Sequence, residues 1–188
     1  MKLENQLAVV TGASKGIGLA TVQALLAAGC QVAGWSRSAV QLQHAHFKAY
    51  QVDVQDHTSV EKAYAATCKD FNKEVAILVN NAGLGFEEPL EDLPLEKWHT
   101  MFRTNVDGIF YFTRLVLPSM KKSGQGHIIN ISSVAGNTGI PKMTGYCATK
   151  YAVKGFSQAL YKEVRKFGVK VTCIYPGSVQ THFFDDIP

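Results

Sequence analysis

The residues with the clearest chemical use stand close together in the second half of the sequence. Tyr146 follows Ser133 by thirteen positions and precedes Lys150 by four, in the run Tyr-Cys-Ala-Thr-Lys. Hydride delivery to a carbonyl builds charge on its oxygen, so a site for that reaction needs a proton donor and a dipole aimed at that oxygen. A phenol and a hydroxyl are such parts. A free tyrosine, with a pKa of about 10, is a sluggish partner at neutral pH. On a helix Lys150 shares a face with Tyr146, and its charge is expected to favour the phenolate and draw that pKa toward the working range. Ser133 is expected to donate to the substrate oxygen. A Tyr and a Lys at this spacing arise often by chance, so the reading rests on what accompanies them.

What accompanies them is a glycine-rich stretch near the start, Thr11-Gly-Ala-Ser-Lys-Gly-Ile-Gly18. Gln6 to Thr11 reads as a short apolar strand, and Ile17 to Ala28 repeats apolar residues at helical spacing with Gly29 just past its end. The glycines therefore fall at a strand-to-helix turn. Such a turn needs Gly12 for its backbone angles, Gly16 for close approach of the main chain to a pyrophosphate, and Gly18 for close packing of the helix. Phosphate would then meet the positive N-terminus of the helix, with Ser14 and Ile17 in the same cradle. The spacing Gly-x-x-x-Gly-x-Gly is weak alone and gains force from its position between strand and helix.

Which dinucleotide is implied depends on the next strand. Folds that prefer the unphosphorylated cofactor carry an acid about 20 residues on, which holds the ribose hydroxyls. No Asp or Glu occurs between Glu4 and Asp53. The strand Gln31 to Ser36 ends instead in Ser36-Arg37, and Lys15 stands inside the glycine loop, so two cations and a hydroxyl can converge on a 2′-phosphate. The expected cofactor is NADP(H).

With 188 residues, 46% hydrophobic and 18% charged, the chain is expected to form a single globular domain over 1–188, burying about 70% of its unfolded surface. No apolar signal region opens it and no run of about 18 apolar residues interrupts it, so the expectation is a cytoplasmic protein without membrane association. Cys30, Cys68, Cys147 and Cys173 are far apart with no Cys-x-x-Cys pair, which indicates neither a zinc site nor a disulfide framework. His44 and His46 lack a third ligand nearby, and no metal is expected. The formal charge of +4 is scattered; Lys121-Lys122 and Lys162 to Lys166 read as solvated helix ends rather than a nucleic-acid stripe.

Further elements follow in alternation: strands at Lys48 to Val52, Val75 to Val79, His127 to Ile131 and Val169 to Ile174, and helices at Val60 to Phe71, Leu95 to Met120 and Gly145 to Phe167. This order predicts an α/β fold with a Rossmann-like, doubly wound parallel sheet covered on both faces. Ligands in such sheets lie beyond the carboxyl ends of the strands. Asp53, Asn80-Asn-Ala-Gly83, Ser132-Ser133 and Pro176-Gly177 all follow strands there.

Taken in order, the glycine loop, Asn80-Asn81-Ala82-Gly83, Asn105, Ser133, Tyr146-x-x-x-Lys150 and Pro176-Gly177 resemble the classical short-chain dehydrogenase/reductase family over residues 5 to 182, and Arg37 with Lys15 is similar to its NADPH-preferring members. The resemblance implies Asp53 and Val54 beside the adenine, Asn81, Ala82 and Gly83 along the adenosine ribose, and Val179 and Thr181 near the nicotinamide amide. It implies a catalytic tetrad of Asn105, Ser133, Tyr146 and Lys150, with Lys150 also holding the nicotinamide ribose and Asn105 positioning a water in a proton relay. Pro176 and Gly177 are counted with the cofactor site. The implied activity is NADPH-dependent reduction of an aldehyde or ketone to an alcohol, or the reverse, in a homodimer or homotetramer. The alternative is a catalytically silent NADP(H)-binding regulatory or truncated relative. Family chains continue past the Pro-Gly turn through a substrate loop, a seventh strand and a closing helix. This chain is expected to lack the last strand and helix, with Phe183-Phe184-Asp185-Asp186 opening the loop. Phe110, Tyr111, Phe112, Tyr151 and Tyr161 are expected to be core or interface residues. Leu84, Phe86, Val134, Ala135, Ile140 and Met143 suggest an apolar cleft for the substrate.

Overall fold

The computed structural model describes residues 2–179. Six strands, β1 (Leu7–Thr11), β2 (Gln31–Ser36), β3 (Phe47–Gln51), β4 (Ile77–Asn80), β5 (Gly126–Ile131) and β6 (Val169–Ile174), pair in the order β3-β2-β1-β4-β5-β6. Every pairing is parallel. Helices α1 (Gly16–Ala27), α2 (His57–Phe71), α3 (Leu95–Phe102), α4 (Gly108–Ser123) and α5 (Thr144–Val164) complete the doubly wound α/β architecture.

Strand side chains alternate between faces, so each central strand feeds two cores. Leu7, Val9, Ala33, Trp35, Leu78 and Ile128 meet Phe112, Val116, Leu160 and Val164 on one side. Ala8, Val10, Val32, Ile77 and Val79 meet Val22 and Leu26 of α1 on the other. Trp35 stacks on Phe112 at 4.1 Å between ring centroids, and its indole N–H donates to Thr67 Oγ1 at 3.2 Å. The cores lock β1 between β2 and β4, where the chain reverses its direction of travel across the sheet. A crevice opens at that point, at the carboxyl ends of the strands.

Element boundaries shift by up to three residues from those the sequence predicts, and two differences have clear physical reasons. The helix expected over Leu95 to Met120 is α3 and α4 joined by a π-helical turn, Arg103–Asp107; such a turn preserves the apolar pattern on either side and leaves periodicity unaltered. Asn80 belongs to β4 rather than to the loop after it, because it pairs in register with Asn130 of β5. Their side chains join at 2.8 Å from Asn80 Nδ2 to Asn130 Oδ1.

Candidate active site at the carboxyl edge of the sheet

The crevice is a cleft of about 340 Å³. Its floor begins at the glycine loop, where Gly12 (φ 65°) and Gly16 (φ 56°) hold left-handed angles that side chains disfavour. A Cβ on Gly18 would sit 2.1 Å from Gly12 O, so α1 presses directly on the loop. The loop is also tied to its neighbours. Ala13 N donates to Trp35 O at 3.2 Å, and the Thr11 hydroxyl accepts the amides of Asn81 and Ala82, each at 3.0 Å. Asn81 Nδ2 returns the contact by donating to Thr11 O at 3.0 Å and Gly12 O at 3.2 Å.

Gly12, Ser14, Lys15, Gly16, Ile17, Ser36, Arg37, Asp53, Val54, Asn81, Ala82, Gly83, Ser133, Tyr146, Lys150, Pro176, Gly177 and Val179 all line this one cleft. Gly18 lies beneath it and Asn105 behind it; Thr181 falls outside the described residues. Lys15 and Arg37 stand exposed on the lip at one end, while the buried Ser36 donates to Ser38 O at 2.6 Å. Asp53 is the only carboxylate among the described lining residues, and its Oδ1 accepts the Gln55 amide at 3.0 Å.

At the other end the loops after β5 and β6 are cross-linked by Ser132 N to Ile174 O (2.8 Å) and Val134 N to Pro176 O (3.0 Å). Ser133 caps the short turn Val134–Gly136, its Oγ accepting the Ala135 amide at 3.2 Å. The Ser133 side chain lies near enough to the Tyr146 phenol to favour its ionised form. Lys150 Nζ lies 5.5 Å from the centre of the Tyr146 ring, and donates to Ile131 O at 2.9 Å. The three groups that the sequence singles out converge within one corner.

Their electrostatics depart from the sequence-based expectation. Burial pushes the Tyr146 phenol above its ordinary pKa, opposed by the nearby Ser133 side chain. Burial also lowers Lys150, to about 8. The net shift of the phenol is upward because burial is the dominant influence on it.

Asn105 sits behind this corner. It is 1% exposed in the π turn, with Nδ2 donating to Leu84 O (2.8 Å) and Thr149 Oγ1 (2.9 Å) and Oδ1 accepting the Leu84 amide (2.9 Å). With both amide protons committed to Leu84 O and Thr149 Oγ1, the side chain braces the loop after β4, and Oδ1 keeps a second acceptor position. Thr104, which the sequence analysis overlooks, lines the cleft with a buried hydroxyl that has no hydrogen-bond partner. Only its position beside Asn105 hints at it.

A cradle that a Cβ would fill, backbone amides at the start of α1, cations on one lip and an orphaned hydroxyl in the wall fit a nicotinamide dinucleotide. The short chain dehydrogenase profile matches residues 6–188, and the chain belongs to that family of oxidoreductases. It is 36% identical over 185 residues to the 3-oxoacyl-acyl-carrier-protein reductase FabG of Haemophilus influenzae, covering 95% of this chain and 76% of that protein. Among solved structures it resembles the 3-ketoacyl-acyl-carrier-protein reductase of Brucella melitensis complexed with NADH, at TM-score 0.94 and 26% identity over 98% of this chain and 81% of the other. It also resembles the closed form of a serine dehydrogenase complexed with NADP+, at TM-score 0.91 and 34% identity over 97% and 76% of the two chains. Among the described residues no helix is long and apolar enough to cross a membrane.

Proposed function

We propose that this protein is an NADPH-dependent reductase of aldehydes or ketones, or the corresponding alcohol dehydrogenase, with residues 1–188 acting as one dinucleotide-binding and catalytic domain. The observation that carries the proposal is the convergence of the Tyr146 phenol, the Ser133 hydroxyl and the Lys150 ammonium at one end of a cleft whose other end displays Lys15 and Arg37. Bound there, NADPH would supply the hydride.

The residues of the chain divide the remaining work. Ser36, Arg37 and Lys15 hold the 2′-phosphate, Arg37 through its two-pronged donor face. Gly12, Ser14, Gly16 and Ile17 cradle the pyrophosphate, with Gly18 letting α1 approach. Asp53 and Val54 flank the adenine, Asn81, Ala82 and Gly83 the adenosine ribose, and Pro176, Gly177, Val179 and Thr181 the nicotinamide end. Lys150 binds the nicotinamide ribose, Asn105 braces the loop beside it, and Ser133 and Tyr146 donate to the carbonyl oxygen. A phenol whose pKa is raised by burial stays protonated at neutral pH, which is the form a carbonyl reduction consumes. Phe86, Val134, Ile140 and Met143 favour an apolar substituent on the carbonyl. The exposed Phe110, Tyr151 and Tyr161 on α4 and α5 support assembly into a homodimer or homotetramer. Four unpaired cysteines support a reducing, cytoplasmic setting.

The test is NADPH absorbance followed with a panel of aldehydes, ketones and diketones, with Tyr146→Phe as control. The proposal expects oxidation by the wild type and its near-complete loss in the variant. Tight NADPH binding without turnover would favour a silent cofactor-binding relative instead.

A further inference from the structure

The helix α5 carries two buried aliphatic hydroxyls that each accept from an Asn side chain and donate to a carbonyl of the preceding turn, and one of them reaches the loop beside Tyr146. Ser157 Oγ accepts Asn130 Nδ2 at 2.9 Å and donates to Val153 O at 2.7 Å. Thr149 Oγ1 accepts Asn105 Nδ2 at 2.9 Å and donates to Tyr146 O at 2.8 Å. Thr149 has no exposed surface, so these bonds form without competition from water.

The chain of bonds from Thr149 leads somewhere specific. Asn105 holds both backbone polar groups of Leu84, in the loop that runs past Tyr146 and Lys150. A Cβ on Gly85 would lie 2.7 Å from Tyr146 Cδ2, and one on Gly83 would lie 3.5 Å from Lys150 Nζ. The loop is therefore a wall against which the phenol ring rests. Its own position is referred, through Asn105 and Thr149, to the backbone carbonyl of the residue bearing that ring.

We propose that Thr149 is a positioning residue: its hydroxyl clamps the wall at Gly83 to Gly85 onto the backbone of Tyr146, and so fixes where the phenol points. The proposal rests on the reductase reading above for its consequence in catalysis, and on geometry alone for the clamp. Loss of the hydroxyl leaves a buried Asn105 amide proton unpaired, and the wall is free to shift relative to the ring.

Thr149→Val keeps the shape and removes the clamp, and Ser157→Ala removes a comparably buried hydroxyl on the same helix whose bonds run to Asn130 and Val153 and not to the loop at Gly83 to Gly85. The expected result is a ~10- to 100-fold loss of kcat in Thr149→Val, the size of effect that a displacement of about 1 Å produces. The KM for NADPH should rise far less than kcat falls, since the glycine loop and the cations at the far end of the cleft are untouched. Thr149→Ser should regain most of the rate. Ser157→Ala should lower Tm comparably and leave kcat unchanged. Should the valine variant not fold, Thr149→Ala, which adds no methyl in place of the hydroxyl, carries the same comparison. Protein labelled with fluorotyrosine supplies a readout free of turnover, in which the resonance lost in Tyr146→Phe identifies the phenol. That resonance should move or broaden in Thr149→Val and stay in place in Ser157→Ala. Equal losses of kcat in the two variants, or an unmoved resonance in Thr149→Val, would overturn the proposal. A wild type that turns over no carbonyl would defeat the reductase reading, and the resonance would then decide the clamp by itself.

Discussion

Replacing Arg37 by alanine should separate the two nicotinamide dinucleotides. Arg37 is exposed on the lip of the cleft just past β2, with Lys15 exposed in the glycine loop of the same cleft. Between them lies Ser36, whose hydroxyl is already turned to Ser38 O, so the guanidinium is the principal donor available to a 2′-phosphate. A hydrogen bond to a charged group contributes ~1.5–3 kcal/mol, and exposure to water reduces it toward ~1–2 kcal/mol. That range corresponds to a loss of about 5- to 30-fold in affinity. Titration of protein fluorescence should show that loss for NADPH and a change under about twofold for NADH, which has no 2′-phosphate to lose. Lys15→Ala should show a smaller loss, because an ammonium lacks the two-pronged geometry. Raising the salt to ~0.5 M shortens the screening length to about 4 Å, and the wild-type preference should narrow with it. Equal weakening toward both cofactors in Arg37→Ala would refute the assignment of Arg37 to the phosphate.

Two further outcomes follow from burial and backbone angles. Lys150 has a folded-state pKa of about 8 against an ordinary 10.5, so below pH ~8 both folded and unfolded states carry its proton and the fold bears the full burden of the buried charge. Between about pH 8 and 10.5 the unfolded chain binds more of that proton, and stability of the wild type relative to Lys150→Met should rise by roughly 3 kcal/mol at most; denaturation midpoints across that window check it, and a flat difference would contradict it. Gly124 and Gly168 both hold left-handed angles, φ 70° and 77°, but a Cβ on Gly124 meets nothing within 4 Å whereas one on Gly168 would lie 2.1 Å from Gly124 O. Gly124→Ala should therefore lower stability by about 1 kcal/mol, and Gly168→Ala by clearly more; equal melting temperatures would count against the backbone account.

Much of the site was legible because its chemistry needs particular residue types. Glycine meets the left-handed angles of Gly12 and Gly16 at the least cost and alone fits the contact at Gly18, and a Tyr and a Lys four apart on a helix share a face. The alternation of apolar strands with helices forced a parallel sheet and put the polar motifs at its carboxyl edge. What stayed hidden depends on three dimensions. The π turn at Arg103–Asp107 leaves no mark on periodicity, so Asn105 stood out through the family resemblance alone. Thr149 and Ser157 look like ordinary polar helix residues until Asn105 and Asn130 are found opposite them. The net shift at Tyr146 was not legible from sequence, since spacing reports that Lys150 is near but not that both groups are buried and that the ammonium donates to Ile131 O.

The central claim is that hydride and proton reach one carbonyl in the corner formed by Tyr146, Ser133 and Lys150. The most direct measurement is mass spectrometry after chiral separation of the alcohol formed from an accepted carbonyl with NADPH carrying deuterium at both nicotinamide C4 positions. The account predicts one deuterium on the carbinol carbon, formed with a single facial preference by the wild type and reduced by about a thousandfold or more in rate in Tyr146→Phe. Alcohol without deuterium on that carbon, or undiminished transfer in the variant, would contradict it.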